Sequence, residues 1–408
     1  MQKRSCFICI LSVLLLAACD LAPPPAPQIS QATAVPPASP TLSAAEPSPS
    51  GNAPSTASDI TFTHAASVAV GDHPTSVLAG DFDRDGDQDL VATNDGDGDG
   101  TTLSVLTNDG KGGFLPASVI EVGTAPIAVT SADWDGDGDP DLTAANHESD
   151  DLSILTNDGK GGFGERARVS LTPQSYPFML AAADFDADGD PDIGFANYLA
   201  TGAVTILSNN GAGEFTIADS LIIRGNPYTI THGDFDGDRD IDLATATYDT
   251  HQVMILLNDG GGKFSRGSSV EVGEEPWSLI AGDFDQDRDL DLAVANEGDN
   301  SLSLLANQGD ASFSVTHTVQ VGEEPYAVTA GDFDRDGDLD LATANEDSHS
   351  LSIVTNDGRG RFAETSVVAV GDEPWALIAD DLDQDGDVDL AVANSGSNTL
   401  SIVLNTSG

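Results

Sequence analysis

Cysteine is scarce in this 408-residue chain: there are three, at positions 6, 9 and 19. Nothing beyond residue 19 can be cross-linked internally, and no reactive thiol is available for catalysis there. Basic residues are almost as sparse, 15 Lys and Arg against 68 Asp and Glu, for a formal net charge of −53. A nucleic acid or an anionic membrane surface would repel such a chain, so both are excluded as its main partner. The apolar run from Cys6 to Leu16 is too short to span a bilayer as a mature helix. No segment has a helical period, and neither a G-x-S-x-G elbow nor a phosphate-binding glycine loop occurs. With 39% hydrophobic residues there is enough apolar material for a core. The balance fits an extracytoplasmic protein or one that collects cations.

What is present is a repeat. An acidic stretch begins at residues 81, 133, 184, 234, 283, 332 and 381, at intervals of 52, 51, 50, 49, 49 and 49. Each unit holds four short strand candidates, as in SLIAGDF (278–284), DLAVANE (291–297), SLSLLAN (301–307) and SFSVTHTVQVG (312–322). They alternate or run apolar, and Gly/Asp/Asn-rich turns separate them. Four strands per repeat and seven repeats predict an all-β fold, a seven-bladed β-propeller over residues 61–408. The last repeat stops after its third strand, at LSIVLNTSG, while ITFTHAASVAVG (60–71) resembles the fourth strands elsewhere. The N-terminal strand is therefore expected to complete the last blade and close the ring, which removes open edges.

The acidic stretch carries Asp at positions 1, 3, 5, 7 and 9. The residues are Asp81, Asp83, Asp85, Asp87 and Asp89 in the first copy and Asp133, Asp135, Asp137, Asp139 and Asp141 in the second. The third has Asp184, Asp186, Asp188, Asp190 and Asp192, and the fourth Asp234, Asp236, Asp238, Asp240 and Asp242. The fifth has Asp283, Asp285, Asp287, Asp289 and Asp291. Asp332, Asp334, Asp336, Asp338 and Asp340 form the sixth, and Asp381, Asp383, Asp385, Asp387 and Asp389 the seventh. Neighbouring carboxylates repel by about 3 kcal/mol at an effective dielectric near 20, so the pattern needs a cation or open water. Positions 1, 3, 5 and 6 match the start of the D-x-[DN]-x-[DN]-G calcium loop, with Asp at 9 closing the shell in place of a Glu at 12. Up to seven Ca²⁺ ions are expected; solvated acidic turns without an ion are the plainer alternative. Position 6 is Arg239 in the fourth copy and Arg288 in the fifth. The turn there favours positive φ, so weaker calcium is expected in those two blades.

The period, the D-x-D-x-D-G-x-x-D loop between strands and the following Asp-Leu-(Ala/Val) strand resemble the FG-GAP/VCBS repeats, relatives of the calcium-bearing blades of integrin alpha-subunit propellers. The literal FG and GAP tripeptides are not clear here. The resemblance implies calcium in these loops as a stabiliser of the propeller. It also implies that partners bind through the loops joining strand 4 to strand 1 and strand 2 to strand 3, on the face away from the aspartates.

That face has its own regularity. A Gly-x-x-Pro step is followed by Phe178, Tyr228, Trp277, Tyr326 and Trp375 in five consecutive blades, although the glycine is lost in the first of them. Beside these lie Glu274, Glu275, Glu323, Glu324, Asp372 and Glu373, and the adjoining loops add Asn146, Asn197, Asn296, Glu297, Asn345 and Glu346. Aromatics with acids and amides suit a glycan, protein or cation ligand; packing near the channel is the alternative. His73, His147, His251 and His349 sit in four different blades without ligand spacing, and His232 could face the channel.

The ends read separately. MQKRSCFICILSVLLLAACD has a basic start and an apolar stretch, ending in Leu16-Ala17-Ala18-Cys19. This resembles a bacterial lipobox, which implies a signal peptide over 1–18 and lipidation of Cys19; an ordinary signal peptide is the alternative. Residues 19–60 form a Pro/Ala/Ser-rich tether that cannot bury enough surface to fold. The expectation is a monomeric envelope lipoprotein, touching the membrane only through its lipid, that binds a glycan or protein, adheres or scaffolds. A propeller enzyme of polysaccharide lyase or dehydrogenase type using the channel is the alternative.

Overall fold

Asp-Leu-Ala-Val-Ala-Asn (291–296) has no polar side, and the strand it forms, Asp291–Asn296, is buried at every position. Its neighbour Ser301–Asn307 is almost as enclosed. The outer strand Phe313–Gln320 instead alternates toward solvent, as its polar-apolar pattern dictates. With the inner strand Pro276–Gly282 these make one antiparallel blade. A computed structural model describes residues 60–198 and 202–407. Signal, tether and Cys19 lie outside them.

Six such sheets form from consecutive strands, and the seventh joins Phe62–Ala69 to the last three strands of the chain. Phe62 lies opposite Asn405 and Ala69 opposite Thr399, antiparallel. The ring is thus a seven-bladed propeller closed by its first strand, as the sequence predicts. Two blades are irregular. The inner strand of the fourth shrinks to Thr231–Gly233, and the outer strand of the first to Ser118–Glu121, just after Pro116, which lacks an N–H for the ladder.

Blades are joined by a wedge and a hydrogen-bond relay. The wedge is position 2 of each acidic loop: Phe82, Trp134, Phe185, Phe235, Phe284, Phe333 and Leu382, all buried. Six of these rings meet, edge to face, the Phe that opens the outer strand of the next blade, as in Phe284–Phe362 at 5.7 Å. Phe62 fills that role for Phe333 at the closure.

The relay starts at position 9. Asp291 Oδ2 accepts from the N–H of Phe284 (3.2 Å) and Oδ1 from the N–H of Asn307 (2.9 Å). Asn307 Nδ2 then donates to the carbonyl of Phe235 in the preceding blade (2.8 Å). The same three bonds recur at all seven positions, from Asp89–Asn108–Leu382 round to Asp389–Asn405–Phe333. Burial, against the N–H bonds and assisted by the other loop carboxylates, pushes Asp89, Asp141, Asp192, Asp242 and Asp291 up to about 6. It pushes Asp340 and Asp389 to about 7.

Two outcomes follow. Asn307→Ala removes the amide that donates to the carbonyls of Phe235 and Leu290, of which Phe235 keeps the N–H of Ala311, and should cost about 1–3 kcal/mol in denaturant unfolding, whereas the exposed neighbour Gln308 should tolerate alanine with little change. In metal-stripped protein the position-9 carboxyls hold protons in the fold that the unfolded chain releases near pH 4. The stability they add is full below that pH and lost as pH rises through 6–7. The melting midpoint of the stripped protein should therefore be higher at pH 5 than at pH 7.5.

Candidate functional site

Each acidic loop is a tight reversal whose backbone is pinned by its own carboxylates. In the first, the N–H of Gly86 donates to Asp81 (3.2 Å) and that of Asp87 to Asp85 (3.0 Å). Position 6 is left-handed throughout, with φ of 94° at Gly86, 80° at Arg239 and 82° at Arg288. The two arginines thus adopt the conformation that glycine takes without strain. Carboxylate oxygens converge within 4.8 Å for Asp81, Asp83 and Asp85 in the first loop. Positions 1, 3 and 9 converge in the next four: Asp133, Asp135 and Asp141; Asp184, Asp186 and Asp192; Asp234, Asp236 and Asp242; Asp283, Asp285 and Asp291.

These clusters fit a metal ion on a physical ground. Oδ1 of Asp81, Asp283 and Asp381 at position 1, and of Asp135 and Asp186 at position 3, is shut from water without a hydrogen-bond partner. Burial first, then the neighbouring carboxylates, raises the pKa of Asp83, Asp236, Asp285, Asp334 and Asp383. Like charges held this close ask for a hard cation with oxygen ligands.

Position 7 is occupied otherwise in four blades. Asp139 and Asp387 pair with Arg84 and Arg335, position 4 of the preceding blade. Asp338 and Asp87 likewise accept from Gln286 and Gln384. These side chains staple adjacent loops.

On the opposite face, the loops from strand 4 to strand 1 and from strand 2 to strand 3 are zipped together. The residue before each proline turns left-handed: φ is 54° at Glu275, 53° at Glu324 and 53° at Glu373. The carbonyls of Glu275 and Glu324 accept from the N–H of Glu297 (3.0 Å) and Glu346 (2.8 Å). The five aromatics after the prolines stand against one another. Trp277 stacks at 4.7 Å on both Tyr228 and Tyr326, and meets Phe178 and Trp375 edge-on at 5.8 and 6.2 Å. Phe178 and Tyr228 are buried, the other three half-buried. Tyr198 and Tyr248 join the cluster at 5.3 and 5.1 Å from Tyr228. Both escaped the sequence reading, although each follows the last residue of strand 2, as Glu297 and Glu346 do.

The expected amides are elsewhere. Asn146, Asn197, Asn296 and Asn345 are buried beneath the loops; Asn296 donates to Ser301 and Ser303. A Cβ on Gly273 would come within 2.5 Å of that side chain, so the glycine is required there. The histidines serve the loops. His251 and His349 Nδ1 accept from the N–H of Glu275 and Glu373, and His73 Nδ1 lies 2.6 Å from Asp95. His232 lies on its inner strand with its ring 6.5 Å from that of Phe185, and desolvation by the surrounding protein lowers its pKa.

Five carboxyl and phenol groups cluster beside the aromatics. Burial, then the charges of Glu297 and Glu275, raises the pKa of the Tyr248 phenol. Burial, with the charges of Glu275 and Glu324, pushes Glu297 up to about 7. Burial and a shared hydrogen bond with Glu324 push Glu346 up to about 8.

Comparisons with known proteins agree with this architecture. BBS1N, solved in complex with ARL6DN, shares the fold at a TM-score of 0.62 and 15% identity, over 84% of this chain and 96% of that one. A protein from Lactobacillus plantarum gives 0.60 and 14%, over 76% and 88%. A functionally unknown protein from Desulfotomaculum acetoxidans gives 0.58 and 13%, over 76% and 90%. No curated protein matches. A family model described as FG-GAP-like repeat matches residues 81–144, 133–195, 234–294, 283–343 and 336–392. These stretches span more than half of the sequence, and the chain belongs to the FG-GAP-like repeat family.

Proposed function

We propose that this chain is a calcium-stabilised binding module, tethered through Cys19 to a bacterial envelope membrane, that captures a protein partner on its aromatic face. The observation that carries this reading is the division of labour between the two faces: metal-ready carboxylates on one, a half-exposed aromatic and carboxylate mouth on the other. Calcium, when bound, supplies positive charge that turns seven repulsive loops into cross-links. Positions 1 and 3, with 5 or 9, hold it, while position 9 keeps the strands together. BBS1N, of the same fold, is solved with a protein bound, which favours a protein over a glycan. The lipid anchor rests on the lipobox-like sequence.

Chelation of the purified protein should lower its melting midpoint and calcium should restore it; an unchanged midpoint would refute the metal role. Arg239→Gly and Arg288→Gly should each relieve about 1 kcal/mol at a left-handed residue, which is about fivefold in the affinity of that loop. Calorimetric titration with calcium reads this directly. A protein and glycan array probed with calcium-loaded protein tests the binding role, with signal expected on protein spots.

A further inference from the structure

Position 4 of the acidic loops is left-handed, with φ of 62° at Arg84, 63° at Gln286, 61° at Arg335 and 60° at Gln384. Glycine takes this conformation without strain, and Gly136 and Gly237 hold it in the second and fourth loops. A side chain there is strained, yet four loops carry a long one, and each of the four reaches the loop of the next blade. Arg84 donates to the carbonyl of Gly138 and pairs with Asp139. Gln384 donates to the carbonyl of Gly86 (2.9 Å) and to Asp87. Gln286 and Arg335 hold Asp338 and Asp387.

These staples are consecutive round the ring. They run from the fifth loop to the sixth, seventh, first and second. The other three junctions start from Gly136, Ala187 and Gly237, which are too short to cross. They are latched near the rim instead, where Arg166 donates to the carbonyl of Ala212, Arg266 to that of Ile222 and Ser268 to that of Ala311. None of these acceptors belongs to an acidic loop.

Position 4 stands between the metal-ready positions 3 and 5, and the staple ends on positions 6 and 7 of the next loop. In the calcium-loop pattern the backbone carbonyl at position 7 is a ligand. An ion that fixes positions 3 and 5 therefore aims the staple, and the staple orders the segment that holds the next ion.

We propose that Arg84, Gln286, Arg335 and Gln384 are positioning residues that couple the calcium loops of the fifth, sixth, seventh, first and second blades. Filling one loop of this run raises the affinity of its stapled neighbours, and the effect is reciprocal. The unstapled junctions on either side of the third and fourth loops transmit nothing. The proposal rests on calcium occupying the loops and adds a division among them.

Trp134 is position 2 of the second loop and fully buried, with a stapled loop on one side and an unstapled one on the other. The chain has three tryptophans, so Trp277→Phe and Trp375→Phe leave it as the single reporter. In this background Asp81→Asn with Asp83→Asn disables the first loop, and Asp184→Asn with Asp186→Asn the third. Calcium titration of stripped protein, followed by Trp134 emission, should show the first-loop variant shifted about fivefold to higher calcium and the third-loop variant shifted far less. Arg84→Gly should abolish the first-loop shift. Arg84→Gln, the residue that the seventh loop carries at this position, should retain it, which a loss of charge alone would not allow. Equal shifts from the two neighbours, or a first-loop shift that survives Arg84→Gly, would overturn the proposal. Calorimetric titration repeats the comparison without the fluorophore, and melting curves establish that each variant is folded. Calcium bound without this asymmetry sinks the coupling and spares the metal role; no calcium bound to the unsubstituted protein sinks both.

Discussion

The propeller depends on one carboxylate used three ways. The position-9 aspartate accepts an N–H from the turn before it and an N–H from strand 3, and the asparagine it orients donates across to the preceding blade. Each buried acid thereby satisfies one N–H of the turn and one N–H at the end of strand 3. Repeated seven times, it sets both the pitch of the ring and the position of the wedge beside it. The metal-ready oxygens of positions 1 and 3 are aimed by this frame rather than by one another.

Much of this was legible. The repeat period, the four strands, the seven loops and the closing strand all follow from local pattern, because a propeller is built from contacts within a unit and with its immediate neighbour. The left-handed position 6 was legible too, since glycine marked it in five copies. The asparagine at the end of strand 3 was not. It stands in a turn sequence, NDGKGGF, where asparagine already has a local explanation. Its regular distance from the position-9 aspartate, 16 residues in most blades, was the signal available. The staples from Arg84 and Arg335 were equally hidden, because they join residues about 50 positions apart that share no motif.

The aromatic face was half legible. Counting residues after proline found five rings and placed them together. It could not tell that Trp277 would stand between two tyrosines, since the angle of each inner strand decides which rings meet. Burial of the amides was hidden for a similar reason: Asn296 reads as a loop residue by its neighbours, yet it closes strand 2 in the space that the missing side chain of Gly273 leaves for it. Similar composition on the two faces conceals opposite solutions to charge. One gathers carboxylates with arginines in clusters that fit a cation; the other leaves them half-buried, where burial raises the pKa of Glu297 and Glu346.

The closing strand also gives the ring a direction. Phe62 pairs with Asn405 and packs on Phe333, at the end of the blade where the acidic loops lie. Residues 60 and 61 therefore enter the ring on the carboxylate-loop side. A force applied at Ile60 would load the closing strand of the seventh blade before any other strand of the ring.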